Sequence, residues 1–305
     1  MVLPRKVVPG RCYLITRRCT QRQFLMRPGP DVNQAVGYCV AEAATRAEVE
    51  VLAFVAESNH YHAVVWDPSG NVVDFYEHFH KMLAKVLNVR WSRRENFWAG
   101  GGRTTSVVEL VEPADTLAKI IYTLANPVKD HLVAHARDWP GVSSWRLTMR
   151  GGELRFRRPR WFFSPDGTMP EEARLRLSRP PGFEHLTEAA WAARIEAGVR
   201  QEEDRAAAIR AKSGRKVLGR RAIRRQSWKA RPSTDAVGHR RLSPRFAAAR
   251  PEARAAATKD YQRFVSRYRD AMGQVRRGRH DVVFPYGTFR FARLHLVRVE
   301  PPPER

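Results

Sequence analysis

Strand-like and helix-like segments follow one another in the order β-α-β-β-α-β over residues 11–111. That order predicts an α+β protein built on a ferredoxin-like (split βαβ), mostly antiparallel sheet with helices on one face. The polar turn Glu57-Ser58-Asn59 between two apolar runs supports it as a hairpin signal. Beyond Trp145 the alternation stops and Arg-rich sequence begins, which predicts a basic, mainly helical C-terminal extension. The expected division is one domain over 1–146 and an extension over 147–305, disordered in part between 205 and 250.

Arg11 to Thr16 is β-rich, and Asp31 can cap a helix running to Ala47 with Val32, Ala35, Val36 and Cys39 on one face. Val49 to Val55 and His60 to Trp66 are the two hairpin strands. Phe75, Phe79, Met82, Leu83 and Val86 recur at helical spacing between Val72 and Val89. Gly100-Gly101-Gly102 predicts a mobile loop, Ser106 to Val111 a fourth strand and Ala114 to Ala125 a third helix. Proline restricts the residue before it, so Asn126-Pro127 is expected to end that helix. Leu186 to Lys212 reads as a long charged helix, Pro251 to Met272 as another, and Asp281 to Val299 as a strand-like end that folds back.

Of 305 residues, 55 are Lys or Arg and 31 Asp or Glu, a net charge of +24 that favours a polyanionic partner such as nucleic acid. Between 205 and 250 stand 15 basic residues and one acidic, Asp235, a local net of +14. Arg215, Lys216, Arg220, Arg221, Arg224 and Arg225 are the candidate phosphate contacts there, against the plainer reading of a solvated basic linker. Arg17 and Arg18, after the first strand, are candidates of the same kind or solvated strand-end charges. No apolar run reaches the length of a membrane span and the N-terminus lacks a signal-peptide core, so a cytoplasmic, nucleoid-associated bacterial protein is expected. Cys12, Cys19 and Cys39 lack ligand spacing and read as reduced thiols.

Two pairs of residues carry chemistry. His60 and His62 stand two apart in an apolar strand, so both imidazoles face one side. Tyr122 and Asn126 stand four apart in a helix and share a face. Together the four would make a small metal site beside a phenol. H-x-H alone is a weak signal that cupins and amidohydrolases share, but this chain has neither the cupin Glu nor repeated βα units. His78 and His80 fall in a helix, where their rings diverge, and read as surface residues. His131 and His135 have a helical metal spacing but read as exposed. Trp91, Phe97 and Trp98 could stack on unpaired bases, with core packing as the plainer reading.

The stretches Ser58-Asn59-His60-Tyr61-His62-Ala63-Val64-Val65 and Ile121-Tyr122-Thr123-Leu124-Ala125-Asn126-Pro127-Val128 resemble the HUH single-tyrosine transposases. Within that family the chain resembles the REP-associated tyrosine transposases, and Trp139-Pro140-Gly141-Val142-Ser143-Ser144-Trp145 matches the family's usual ending. The likeness covers residues 10–146 and says little of 147–305. It implies a nucleophile at Tyr122 and metal ligands at His60, His62 and Asn126. Tyr61 fills a slot more often aliphatic and is expected to face the core. The implied activity is cleavage and rejoining of single-stranded or hairpin DNA through a 5′-phosphotyrosine, with Mg²⁺ or Mn²⁺ and no nucleotide cofactor. The chain also lacks a phosphate-binding G-x-x-x-x-G-K-[ST] loop. A non-catalytic nucleic-acid-binding relative and a HUH replication initiator or relaxase are the alternatives, and a monomer or homodimer is equally compatible.

Overall fold

The first strand, β1 (Arg11–Arg18), and the third, β3 (His60–Asp67), lie side by side at the centre of the sheet. The computed structural model describes residues 4–100, 105–233, 244–294 and 296–303. Helix α1 (Pro30–Ala47) connects β1 to β2 (Glu50–Ala56), and α2 (Val72–Arg90) connects β3 to β4 (Thr105–Leu110). The sheet runs β2-β3-β1-β4 with every neighbour antiparallel, the split arrangement expected from the segment order. A fifth strand, unforeseen, is supplied from far downstream: β7 (Phe246–Ala247) pairs parallel with β4.

Alternation along the strands divides the core in two. Tyr13, Ile15, Phe54, Tyr61, Ala63 and Val65 point to one face and pack with α1 and α2. Cys12, Leu14, Val55 and Val64 point to the other, which α3 (Pro113–Lys129) covers. The two helices of the split unit thus share one face, and the third helix lies opposite them. Helix α5 (Glu188–Ser213) lies over α3, burying Trp191, Ile195 and Val199 in the same core as Leu117, Ile120 and Leu124.

Three local expectations are corrected. Helix α1 starts two residues earlier than expected, at Pro30, with Gly29 as N-cap; Asp31 lies in the first turn and caps nothing. Helix α3 runs through Pro127 to Lys129 instead of stopping before it. A proline so near the last turn costs one backbone bond, and packing of Leu124, Ala125 and Val128 holds the helix on course. His80 is not on the surface: it is 3% exposed, while His78 pairs with Glu42 at 2.6 Å.

In the extension, α4 (Trp145–Arg150) precedes a hairpin of β5 (Leu154–Arg157) and β6 (Glu172–Leu175) that packs on α1, where Tyr38 Oη donates to Pro170 O at 2.6 Å. Residues 214–233, expected in part to be disordered, are ordered along the body and include α6 (Arg220–Arg225), which buries Ile223. After β7, α7 (Pro251–Arg276) leads to β8 (Val283–Phe284), α8 (Arg290–Arg293) and β9 (Arg298–Val299). This end does fold back: Val7 N donates to Gly287 O at 3.0 Å and Lys6 bridges Thr288. The glycines at 101 and 102, and residues 234–243 of the basic stretch, lie outside the described residues. No described helix is long and apolar enough to cross a membrane, and all three cysteines are free and buried.

Helix α5 meets α3 at Gly198, where a Cβ would collide with the side chain of Ile121, the neighbour of Tyr122. Gly198→Leu improves helix propensity by about 1 kcal/mol, yet overpacking costs about 1–3 kcal/mol. The variant should therefore unfold at lower urea than wild type. A midpoint raised by the full propensity gain would mean that α5 is not seated on α3.

Candidate active site

Strand β3 has β1 on one side and β2 on the other, which fixes its register. His62 stands opposite Thr16 and Val55, and His60 opposite Arg18. The even residues of β3 face α3, so both imidazoles point at the helix that carries Tyr122. The His60 and His62 ring centroids are 4.9 Å apart with planes at 87°. The Tyr122 ring lies 5.4 Å from that of His62, edge on at 85°. Tyr61 points the other way, fully buried, with its hydroxyl 2.5 Å from His80 Nε2.

Second partners orient both rings. Asn59 Nδ2 donates to Arg22 O at 3.1 Å, which turns Asn59 Oδ1 toward His60 Nδ1 at 2.8 Å. An amide oxygen only accepts, so neutral His60 carries its proton on Nδ1 and keeps a lone pair on Nε2. His62 Nδ1 is held at 2.7 Å by Thr16 Oγ1, which leaves its Nε2 for another partner. Burial and the Arg18 guanidinium push His60 down to about 4, and burial, His60 and the cations Arg18, Lys119 and Lys129 push His62 well below its usual value. Both rings are therefore neutral at pH 7, the state in which imidazole ligates metal.

Asn126 lies on the same face of α3 as Tyr122, one turn on. Its amide nitrogen donates to Glu57 Oε1 at 2.8 Å and is 3.4 Å from His60 Nε2. In that orientation a nitrogen that cannot ligate faces His60; the amide oxygen would face it after a half-turn of the side chain. Carboxyl oxygens come instead from two residues that the sequence did not single out. Glu57, His60 and Asp130 place one ligating atom each within 4.8 Å of one another. Glu57 is 3% exposed; burial first, then Asp130, holds its carboxyl well above the usual range, and the two acids share a hydrogen bond. Asp130 could have been found as the next step of the row Tyr122, Asn126, Asp130, spaced by four. Glu57 had a weaker signal, an acid opening the turn into β3.

These donors suit a divalent cation: two neutral imidazoles with oriented rings, plus carboxylate and amide oxygens. Burial, then Asp130 and Glu57, raises the Tyr122 phenol above its usual value, so it is protonated at pH 7. Lys129 Nζ and Lys119 Nζ stand 4.6 and 5.3 Å from its ring centroid, and Arg18 is exposed at the same end. The surroundings of the phenol thus suit an incoming phosphate.

The remaining candidates are spread out. Arg17 turns to the α2 face, with Nη1 2.7 Å from His80 Nδ1 and its guanidinium over Trp98. Arg215, Lys216, Arg220, Arg221, Arg224 and Arg225 are all exposed. Their strand of chain reaches the site's edge, where Ser58 Oγ donates to Gln226 Oε1 at 3.4 Å. His131 and His135 lie beyond the end of α3 and share no helix; His135 pairs with Glu203 at 2.9 Å. Phe97 and Trp98 are core residues, whereas Trp91 is half-buried.

No family model matches the chain, and no curated protein matches it. Among solved structures it is similar to a REP-associated tyrosine transposase bound to a REP hairpin, at 17% identity and a TM-score of 0.41, over 58% of this chain and 99% of the other. It is also similar to a putative transposase from Deinococcus radiodurans R1, at 16% identity and a TM-score of 0.28, over 35% and 85% of the two chains. Neither overlap is close enough to transfer a role, so the functional reading rests on the side chains described above.

The second buried histidine, His80, gives a test of the polar core. Burial and Arg17 hold its imidazole well below the usual value. A depressed folded value contributes stability that is present above about pH 6.5, the unfolded value, and is lost as pH falls through the folded one. Glu57 works in the opposite sense, so wild type should be compared with His80→Gln. The stability advantage of wild type should shrink steadily from pH 7 to pH 4.5 in urea titrations; an advantage independent of pH would refute a neutral, buried His80.

Proposed function

We propose that the protein cleaves and rejoins single-stranded DNA through a covalent 5′-phosphotyrosine at Tyr122, with a divalent metal. The observation that carries this reading is the approach of the Tyr122 ring to His62, 5.4 Å between centroids, beside a second imidazole on the same strand face. The substrate class, a strand that forms hairpins or repeats, follows from the motif resemblance given above.

His60 and His62 would hold the cation through Nε2, with an oxygen from Asn126 or Glu57 completing the set. Two imidazoles favour Mn²⁺ over Mg²⁺ on ligand preference, while either can serve. When bound, the metal would draw charge from the non-bridging oxygens of the scissile phosphate and stabilise the transition state. Tyr122 Oη attacks phosphorus, the bond to the 3′ oxygen breaks, and the phenol proton ends on the departing 3′-OH. One phosphodiester replaces another, so the step reverses when a 3′-OH returns. Lys119, Lys129 and Arg18 attract the phosphate, and Thr16 and Asn59 keep both rings in place. Arg18, Arg215, Lys216, Arg220, Arg221, Arg224 and Arg225 are the proposed backbone contacts; Arg17, bonded to His80, orients the core beneath.

The test is incubation of the full chain and Mn²⁺ or Mg²⁺ with labelled single strands carrying hairpins from the host genome. Wild type should give an adduct that survives denaturing gels, and Tyr122→Phe none. His60→Ala and His62→Ala should each slow adduct formation at least about a hundredfold, the cost of misplacing a reacting group. Cleavage by Tyr122→Phe would remove Tyr122 as the nucleophile, and no adduct on any hairpin with DNA binding intact would favour a non-catalytic binding protein.

A further inference from the structure

Away from the imidazoles, two tryptophans from distant parts of the chain form a second feature. Trp91, just past α2, stacks on Trp228, just past α6, with centroids 5.5 Å apart and planes at 23°. Both are half-buried. Arg27 and Arg90 lie 5.7 and 5.2 Å from the Trp91 centroid, and Arg93 and Lys229 lie 5.6 and 5.4 Å from that of Trp228. Arg90 pairs with Asp31 and Arg93 with Glu95; Arg27 and Lys229 have no carboxylate partner among the described residues, and Arg27 donates to Arg224 O. Trp228 belongs to a run, 215–229, with seven basic and no acidic residues, none ion-paired to a described residue.

The pair borders the candidate active site through shared backbone. Trp91 Nε1 donates to Leu25 O at 2.9 Å, and Phe24 N to Ala230 O at 3.0 Å. Next in that loop, Met26 N donates to Ser58 O at 2.8 Å, and Arg22 O accepts from Asn59, the residue that orients His60. One loop, residues 22–26, therefore joins the tryptophans to the turn that opens β3.

We propose that the Trp91–Trp228 stack, ringed by Arg27, Arg90, Arg93 and Lys229, is a ledge on which an unpaired base of the DNA substrate stacks. It rests on the reading of the site as a single-strand nuclease and adds where the flanking strand runs. Every base presents a π face, and proteins that bind single strands combine aromatic platforms with cations that track the phosphates. Two half-buried indoles set among four cations, beside the phosphate-attracting site, match that chemistry.

The experiment measures binding of the full chain to a labelled hairpin strand in which nucleotides flanking the cleaved position are made abasic one at a time. Wild type should weaken about tenfold at one position, the scale of one lost base–aromatic stack. Trp228→Ala should bind the intact strand about tenfold more weakly and no longer distinguish the abasic strand, while Trp228→Phe should distinguish it. 5-Iodouracil at that position should crosslink on irradiation to Trp91 or Trp228 of unmutated protein, a readout independent of the variant's folding. Equal discrimination by wild type and Trp228→Ala, or a crosslink mapped elsewhere, overturns the ledge alone while adduct formation persists. Absence of both binding and adduct overturns the proposed function along with it.

Discussion

The register of β3 is the constraint on which the site depends. Held between β1 and β2, this strand sends Tyr61, Ala63 and Val65 into one core and His60 and His62 toward the other side. A slip of one residue would exchange the faces, burying two imidazoles among Phe54, Phe75 and Phe79 and turning Tyr61 toward α3. The large apolar set on the odd positions and the partners waiting for the even ones, Thr16 and Asn59, enforce the same register. The core that stabilises the sheet therefore also aims the ligands.

The other half of the site depends on α3 staying helical past Pro127. Because it does, Tyr122, Asn126 and Asp130 form one row facing β3, and α5 presses that row onto the sheet. Burial then sets the electrostatics. It keeps both imidazoles neutral and the phenol protonated, and it makes Glu57 and Asp130 share a hydrogen bond instead of carrying two adjacent charges. Of these groups, the carboxyl pair is the one that burial moves furthest from its usual charge. A divalent cation beside that pair would favour its charged form.

Much of this was legible in the sequence because two local periods write it down. The two-residue step in a strand aligned His60 with His62, and the four-residue step in a helix aligned Tyr122 with Asn126. What escaped was tertiary. Glu57 and Asp130 meet only once the turn before β3 is packed against the end of α3. The rule that a helix stops before proline failed at Asn126-Pro127 because core contacts outweighed one lost hydrogen bond. His80 looked superficial because a helix position does not reveal what the neighbouring strand brings to it, here Tyr61 and Arg17. The basic run from 215 looked unstructured by composition, yet Ile223 and Trp228 anchor it.

The central claim is that β3 supplies two nitrogen ligands to one divalent ion beside Tyr122. Pulsed electron paramagnetic resonance of Mn²⁺ bound to the full chain reads this directly through couplings to imidazole nitrogen. Two such couplings are expected in wild type, one in His60→Ala or His62→Ala, and none in the double variant. Bound Mn²⁺ without imidazole coupling, or couplings that persist in the double variant, would contradict the account.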